Sequence, residues 1–389
     1  MGRCALGGLR SGAARDVTVA IIVLAICAGL YQLLAIFAML FRKRQKLTAN
    51  CVPPSVSILK PVYGKDAGFY EAIRTHALQR YPEFEILFGI RRENDPARSE
   101  VERLIAEFPA LSFRLVLCQT VTPNLKVGSL IDLAREARHP ILIVNDSDIS
   151  VPTDYIRDVT APLSCPEVGL VTCLYRAEAQ DWPSRLEALA IATDFAPSTL
   201  VARLFGVLDF AFGSTMAFRK TDLDRIGGFS AIGDYIADDY QLGHKLHALG
   251  LRTVISEVVV STRMASGSWR GAWRHQVRWA RTIRLAGGPG YAGLPITYGT
   301  LWSAIAAIVG LWWVALPLMA VRFAMAIVSG RLLGTSDVWK YWYAIPLRDL
   351  AGVAVWAAGL FRNSVIWRDQ RLKLDREGRI VSNSPTFMR

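Results

Sequence analysis

Two carboxylates stand two residues apart in Asp146-Ser147-Asp148, directly after the apolar run Ile141-Leu142-Ile143-Val144. A short apolar run of this kind predicts a buried strand, and open α/β sheets bind ligands just beyond the carboxyl ends of their strands. Carboxylates placed there can share a hard cation with a diphosphate, because magnesium takes oxygen ligands. Asp148 is the expected metal ligand, with Asp146 on a ribose or supporting the site. Asp95, in Glu93-Asn94-Asp95-Pro96, follows another strand and can accept the N–H of a uracil base; its alternative is to cap the turn before Pro96. Lys126, in Asn124-Leu125-Lys126, precedes a helix and can meet a phosphate as a compact point charge.

Asp238-Asp239-Tyr240 opens a further helix. One carboxylate at such a start can cap the helix, which frees the other to face a cleft. Asp239 is the expected general base, since bond formation by an alcohol needs a group that takes the hydroxyl proton. Gln276-Val277-Arg278-Trp279 lies on a helix rich in Arg and Trp over 269–284. There Gln276 joins the substrate-binding set, Arg278 can stabilise a departing diphosphate, and Trp279 can pack on a sugar or an acceptor. Small residues in Gly213-Ser214-Thr215-Met216 allow close backbone approach to a ring. His244 and His247 share a helical face but read as surface or packing residues rather than metal ligands.

The elements that must hold these groups alternate. Strands are expected over 56–59, 84–90, 113–117, 141–144 and 168–174, with helices over 69–79, 100–108 and 127–137 between them. That alternation predicts crossover units and a largely parallel sheet, a Rossmann-like α/β nucleotide domain over 52–286. No G-x-G-x-x-G is present, so phosphate binding must use a metal and side chains. Residues 182–205 predict a long helix, with an interruption at Pro197.

The 389 residues are 52% hydrophobic and carry a formal charge of +12, and their mean hydropathy is +0.27. This apolarity places part of the chain in lipid. Behind an amino-terminal segment over 1–16, residues 17–41 form one expected transmembrane helix. Arg42-Lys43-Arg44 and Lys46 follow it and favour a cytoplasmic position for the next domain. A membrane region over 294–361, which contains Pro317, is expected to hold two or three segments and carries the pair Arg348-Asp349, which reads as mutual structural pairing. A basic cytoplasmic tail over 362–389 closes the chain. The basic residues gather beside apolar segments and no nucleic-acid module is visible, so the charge is assigned to a membrane surface and no nucleic-acid partner is expected. Six scattered cysteines without a CxxC pair suit reduced thiols.

Taken together, Asp95-Pro96, Lys126, Asp146-Ser147-Asp148, Asp239-Tyr240 and the Gln276/Arg278-Trp279 group, flanked by apolar segments, resemble the ceramide glucosyltransferase family, inverting enzymes of the GT-A fold. Bacterial hopanoid-biosynthesis glycosyltransferases resemble the chain as closely, through Gly169 to Tyr175 and Arg278 to Thr282. The resemblance implies a UDP-sugar donor, Mg2+ or Mn2+, a lipid alcohol acceptor, Asp239 as base, and a bacterial inner-membrane location with the catalytic domain cytoplasmic. Ceramide with glucose is the first expectation and a hydroxylated hopanoid with N-acetylglucosamine the alternative. Asp148 and Gly128-Ser129 depart from the animal pattern. A processive polysaccharide synthase shares several of these motifs but normally has more spans, and a non-catalytic nucleotide-sugar sensor would need no base at Asp239.

Overall fold

The computed structural model describes residues 3–42, 52–264, 267–288, 290–367 and 370–385. Lys43, Arg44 and Lys46, expected to mark the cytoplasmic side, lie outside the described residues. The central sheet has eight strands: β1 (Val56–Pro61), β2 (Phe84–Ile90), β3 (Ser112–Leu117), β4 (Ile141–Val144), β5 (Ile149–Ser150), β6 (Val168–Glu178), β7 (Met216–Arg219) and β8 (Arg252–Arg263). Their order is β3-β2-β1-β4-β7-β6-β8-β5.

The first half is parallel throughout, from β3 through β2 and β1 to β4. The second half is mixed. β7 runs antiparallel to both β4 and β6, while β6 and β8 are parallel. The expected largely parallel sheet therefore holds for the amino-terminal half only. The chain steps outward from β1 to β3 and then returns to β4 on the other side of β1. That reversal creates a crevice at the carboxyl ends of β1 and β4, and Lys60 and Asp146 sit there.

Side-chain alternation along the strands splits the core into two layers. Ile58, Ile86, Phe88 and Ile143 pack on one face of the sheet; Leu59, Leu87, Leu142 and Val144 pack on the other. A third cluster joins Leu189, Ala192 and Leu200 of the domain to Ala35, Met39, Met325 and Ala326 of the apolar helices. The expected long helix over 182–205 is continuous but not uniform. Trp182–Ala190 is followed by a π-helical turn at Ile191–Phe195 and then by Ala196–Leu204. The widened turn directly precedes Pro197, whose missing N–H disturbs the regular hydrogen-bond ladder.

Among the described residues two helices are long and apolar enough to cross a membrane, Arg15–Leu40 and Trp312–Leu333. The region expected to hold two or three segments contains, besides Trp312–Leu333, the short apolar helix Gly299–Ile308 and the helix Ile345–Leu360. The latter, at 16 residues, falls short of the roughly 20 that cross a hydrocarbon core. Pro317 lies near the start of Trp312–Leu333 and does not break it.

The expected basic tail is instead folded. β9 (Ser364–Trp367), β10 (Gln370–Leu374) and β11 (Ile380–Pro385) form an antiparallel sheet. Leu372 and Leu374 alternate with Arg371 and Lys373, and together with Val365 and Ile380 they pack with Ile236 and Leu285. The charge density read as a tail conceals this small apolar face.

Candidate active site

The crevice is assembled by backbone contacts that converge on three loops. The Asp146 N–H donates to Gly213 O at 3.0 Å. Asn145, fully buried, donates from Nδ2 to Ser214 O at 2.6 Å and to the Tyr155 hydroxyl at 2.8 Å. The end of β4 is thereby fastened to the glycine loop. A Cβ on Gly213 would stand 2.6 Å from Asp146 Oδ2, so a side chain there would push the Asp146 carboxylate aside.

Lys126 is delivered by its helix start. Asn124 caps the helix Leu125–Glu136 by accepting from the Lys126 N–H at 3.1 Å, and donates from Nδ2 to Tyr235 O at 2.8 Å. The second bond draws in the loop before Asp238. Lys126 Nζ then bridges Asp146 Oδ1 at 2.8 Å and Asp238 Oδ2 at 3.0 Å. Burial alone would lower the Lys126 pKa, but Asp146, Asp238 and Asp239 outweigh it and hold the ammonium more firmly charged than usual.

Asp239 takes a different environment from its neighbour. Its Oδ2 accepts from Gly213 N–H at 2.9 Å and its Oδ1 from Tyr240 N–H at 2.8 Å. Burial, then the charge of Asp238, push its pKa up to about 6, against the pull of Lys126. Of the two adjacent carboxylates, Asp238 is ion-paired to Lys126, and Asp239 takes its hydrogen bonds from backbone N–H groups. Asp148 accepts from the Thr262 hydroxyl; burial, Asp146 and Asp66 raise its pKa. Asp95 is buried. It accepts from Gly64 N–H through both oxygens, at 3.2 and 3.1 Å, and from Ala97 N–H at 2.9 Å. The turn-capping role is therefore filled, and the same carboxylate braces the Gly64 loop. That loop carries Asp66, which accepts from the Ser147 hydroxyl at 3.1 Å.

Trp279 reaches the site through an aromatic partner. Its ring meets Tyr175 edge-on, with centroids 6.4 Å apart; burial, then the charge of Glu187 and after it those of Asp239, Asp146 and Asp148, raise the Tyr175 pKa. Gln276 and Arg278 ride the same helix, Trp269–Gly287. Gln276 Nε2 is buried without a hydrogen-bond partner among the described residues. His275, four residues before Trp279, lies one helical turn from it on the same face. It pairs through Nδ1 with Glu187, which is 4% exposed, and its ring lies 5.0 Å from that of Trp279. His244 pairs with Asp209 at 3.2 Å and stacks on Tyr240, in keeping with a surface role.

Several site residues were not visible in the sequence. Lys60 is fully buried and donates to Asp146 O at 3.2 Å and to His76 Nε2 at 3.3 Å. His76 Nδ1 in turn donates to Ala72 O at 3.1 Å. Burial lowers the Lys60 pKa to about 7, although Asp148 and Asp146 favour its charge. Burial, then Lys60, hold His76 well below its ordinary value. A lysine ending an otherwise apolar strand was the available signal, as was Asp66 six residues beyond it; the Glu187–His275 pair had none.

Asp146 and Asp66 lie near enough to Asp148 to add to the effect of its burial, which is the main cause of its raised pKa. Among the described residues no group of three or more His, Cys, Asp or Glu is placed to hold a metal ion by itself. The arrangement therefore suits magnesium or a similar ion, which keeps water and phosphate ligands and takes only one or two from protein.

A half-Rossmann sheet, an acidic triplet at its switch point and a second acidic pair facing it define a glycosyltransferase of the GT-A fold. The same architecture is seen in a mannosyltransferase from Pyrobaculum calidifontis solved with GDP-Man and Mn2+, at a TM-score of 0.54 and 21% identity, over 88% of this chain and 97% of that one. The chain belongs to glycosyl transferase family 21, whose sequence model matches residues 17–380. Among its relatives, ceramide glucosyltransferase 1 of Caenorhabditis elegans is 24% identical over 371 residues, covering 90% of this chain and 78% of the relative. Ceramide glucosyltransferase 3 of the same organism is 29% identical over 289 residues, covering 72% and 62% respectively. The match to this second relative thus spans less than two thirds of its length. Ceramide glucosyltransferase of Komagataella phaffii is 29% identical over a shorter match of 116 residues.

Proposed function

We propose that the chain moves one sugar from a UDP-sugar to a lipid alcohol with inversion at the anomeric carbon, glucose to ceramide being the first assignment. The observation that carries this reading is Asp239, a carboxylate with a pKa near 6 beside a cluster able to receive a diphosphate. The ceramide glucosyltransferase relatives support the lipid acceptor.

In this reading Asp95 accepts the uracil N–H with lone pairs left after its bonds to Gly64 and Ala97. Asp146 orients the ribose, and Lys126, held by Asn124, offers its ammonium to the phosphates. Asp148 holds a Mg2+ or Mn2+, which when bound supplies Lewis acidity toward the leaving diphosphate. Gln276 and Arg278 add hydrogen bonds to that leaving group, and Trp279 packs on the sugar. The acceptor hydroxyl gives its proton to Asp239 as its oxygen attacks the anomeric carbon. One base and no separate nucleophile make this a single displacement, so an α-linked donor yields a β-linked product.

The helices Arg15–Leu40 and Trp312–Leu333 hold the enzyme in the bilayer, and the domain over 52–286 faces the cytoplasm. Exposed Trp269, Trp273, Trp312, Trp313 and Trp342 suit the headgroup region, where aromatic rings concentrate. Mass spectrometry of lipids from a glycolipid-free host expressing the chain, with ceramide and hopanoid pools each supplied, tests the proposal. A singly glycosylated β-linked ceramide is expected. A hexosaminyl hopanoid would move the acceptor assignment, and a polymer or no glycolipid would overturn single transfer to a lipid.

A further inference from the structure

The turn between β10 and β11 is shaped by Asp375. Its Oδ1 accepts from the Glu377 N–H at 2.9 Å and from the Arg379 N–H at 2.8 Å, and its own N–H donates to Arg379 O at 3.0 Å. An aspartate that bonds the backbone two residues on fixes a turn locally. Gly378 takes φ of +79° here, a conformation that favours glycine.

The edge formed by this turn pairs with the loop before the proposed base. The Ile236 N–H donates to Gly378 O at 3.2 Å, and the Ile380 N–H to Asp234 O at 2.7 Å. Tyr235 and Arg379 stand opposed and antiparallel between these bonds, and Arg379 Nε donates to the Tyr235 hydroxyl at 3.0 Å. From the other side Tyr235 O accepts from Asn124, which caps the helix carrying Lys126. Tyr235 is therefore gripped from two directions, and only Ile236 and Ala237 separate it from Asp238-Asp239.

The same sheet is tied to the helix that carries Gln276, Arg278 and Trp279. Arg281 donates to Phe361 O at 3.2 Å and to Ser364 O at 2.6 Å. Arg284 donates to Arg362 O at 3.2 Å and to Asn363 Oδ1 at 2.6 Å, and Asn363 O accepts from the Leu374 N–H at 2.7 Å. Leu285 of that helix and Ile236 of the loop pack into one apolar cluster with Leu372, Leu374 and Ile380. One small sheet thus joins the loop before Asp239 to the helix of Trp279. Such a link matters for rate, because a reacting group misplaced by about 1 Å can cost roughly a hundredfold.

We propose that the carboxyl-terminal sheet splints these two elements for sugar transfer, and that Asp375 is a positioning residue acting on Asp239 through the turn and Tyr235. This rests on the reading of Asp239 as base. Lys126 keeps its own helix cap from Asn124, so the splint bears on the transfer step more than on donor binding.

The test uses the full chain in nanodiscs. Hydrogen exchange without substrate should quicken about tenfold over 233–240 in Asp375→Ala and stay unchanged in β1 and β4, since only the local opening is made easier. That measurement decides the coupling even if the assigned transfer reaction is wrong. In turnover, Asp375→Ala should lower kcat about tenfold and leave the donor KM within about twofold, the pattern of a displaced reacting group. Asp375→Asn keeps the accepting oxygen and should recover most of both changes. Arg379→Met, a substitution at an exposed side chain, is the second variant if Asp375→Ala does not fold, and should move exchange and kcat in the same directions. Unchanged exchange over 233–240 would overturn the splint, and a loosened loop with full kcat would overturn the positioning role. Equal losses of kcat and donor affinity, or no recovery in Asp375→Asn, would also overturn it and show a general loss of structure. Absence of transfer by the unmodified protein would instead count against the reading of Asp239, with the exchange result still deciding the splint.

Discussion

Replacing Asp239 by asparagine separates the proposed base from everything else in the cleft. Asparagine has nearly the same shape but accepts through one oxygen only. It can keep the bond from Gly213 N–H or that from Tyr240 N–H, which now lie at 2.9 and 2.8 Å, but not both. One buried donor left unpaired costs roughly 1–3 kcal/mol. Against this stands relief from the repulsion of Asp238 and from burial of a charge, the two causes that raise the Asp239 pKa. The opposing effects leave the fold intact, and a melting temperature within a few degrees of the unmodified protein is expected. Donor contacts through Asp95, Lys126 and Asp146 are untouched, so UDP-sugar affinity should stay within a few fold. The transfer rate should fall about 10²- to 10⁴-fold, the range for losing one general base, equivalent to roughly 3–5 kcal/mol of barrier. Single-turnover transfer of labelled sugar to a lipid acceptor, beside equilibrium binding of UDP, measures both. An active Asp239→Asn together with an inactive, folded Asp238→Asn would refute the assignment and move the base by one residue.

Gly213→Ala should cut transfer at least tenfold with little loss of stability, since its Cβ would collide with Asp146 Oδ2 at 2.6 Å; full activity would show that the loop yields freely. The pH profile of kcat/KM should fall with unit slope below about 6, where Asp239 becomes protonated and cannot take the hydroxyl proton, and that limb should vanish from the residual activity of Asp239→Asn. Chelation with EDTA should stop turnover and magnesium or manganese restore it, with Asp148→Ala needing more metal; turnover that survives rigorous chelation removes the cation from the mechanism. A thiol placed at Glu102, whose side chain is 54% exposed, should be labelled only from the cytoplasmic side of sealed vesicles. Native Cys118 is buried and is unsuited to this measurement.

The sequence by itself determined the features that depend on local order. The apolar runs that become β1, β2 and β4, the carboxylates that follow them and the long apolar helices could be read because strand burial and span length are written in consecutive residues. That reading expected Asp95, Asp146, Asp148 and Asp239 in one cleft, and the sheet order sets β1 beside β4. What only the tertiary structure decided involves partners far apart in the chain. Lys126 joins Asp146 to Asp238, Lys60 stands beneath Asp146 on His76, and Glu187 meets His275 across 88 positions. No spacing encodes such contacts, because they arise when crossover connections bring separate strand ends to the same crevice. The antiparallel β7 and the folded carboxyl-terminal sheet escaped for a related reason. Strand direction and the pairing of short, charged strands are fixed by neighbours in space, whereas hydrophobic pattern reports only which side of each strand is buried.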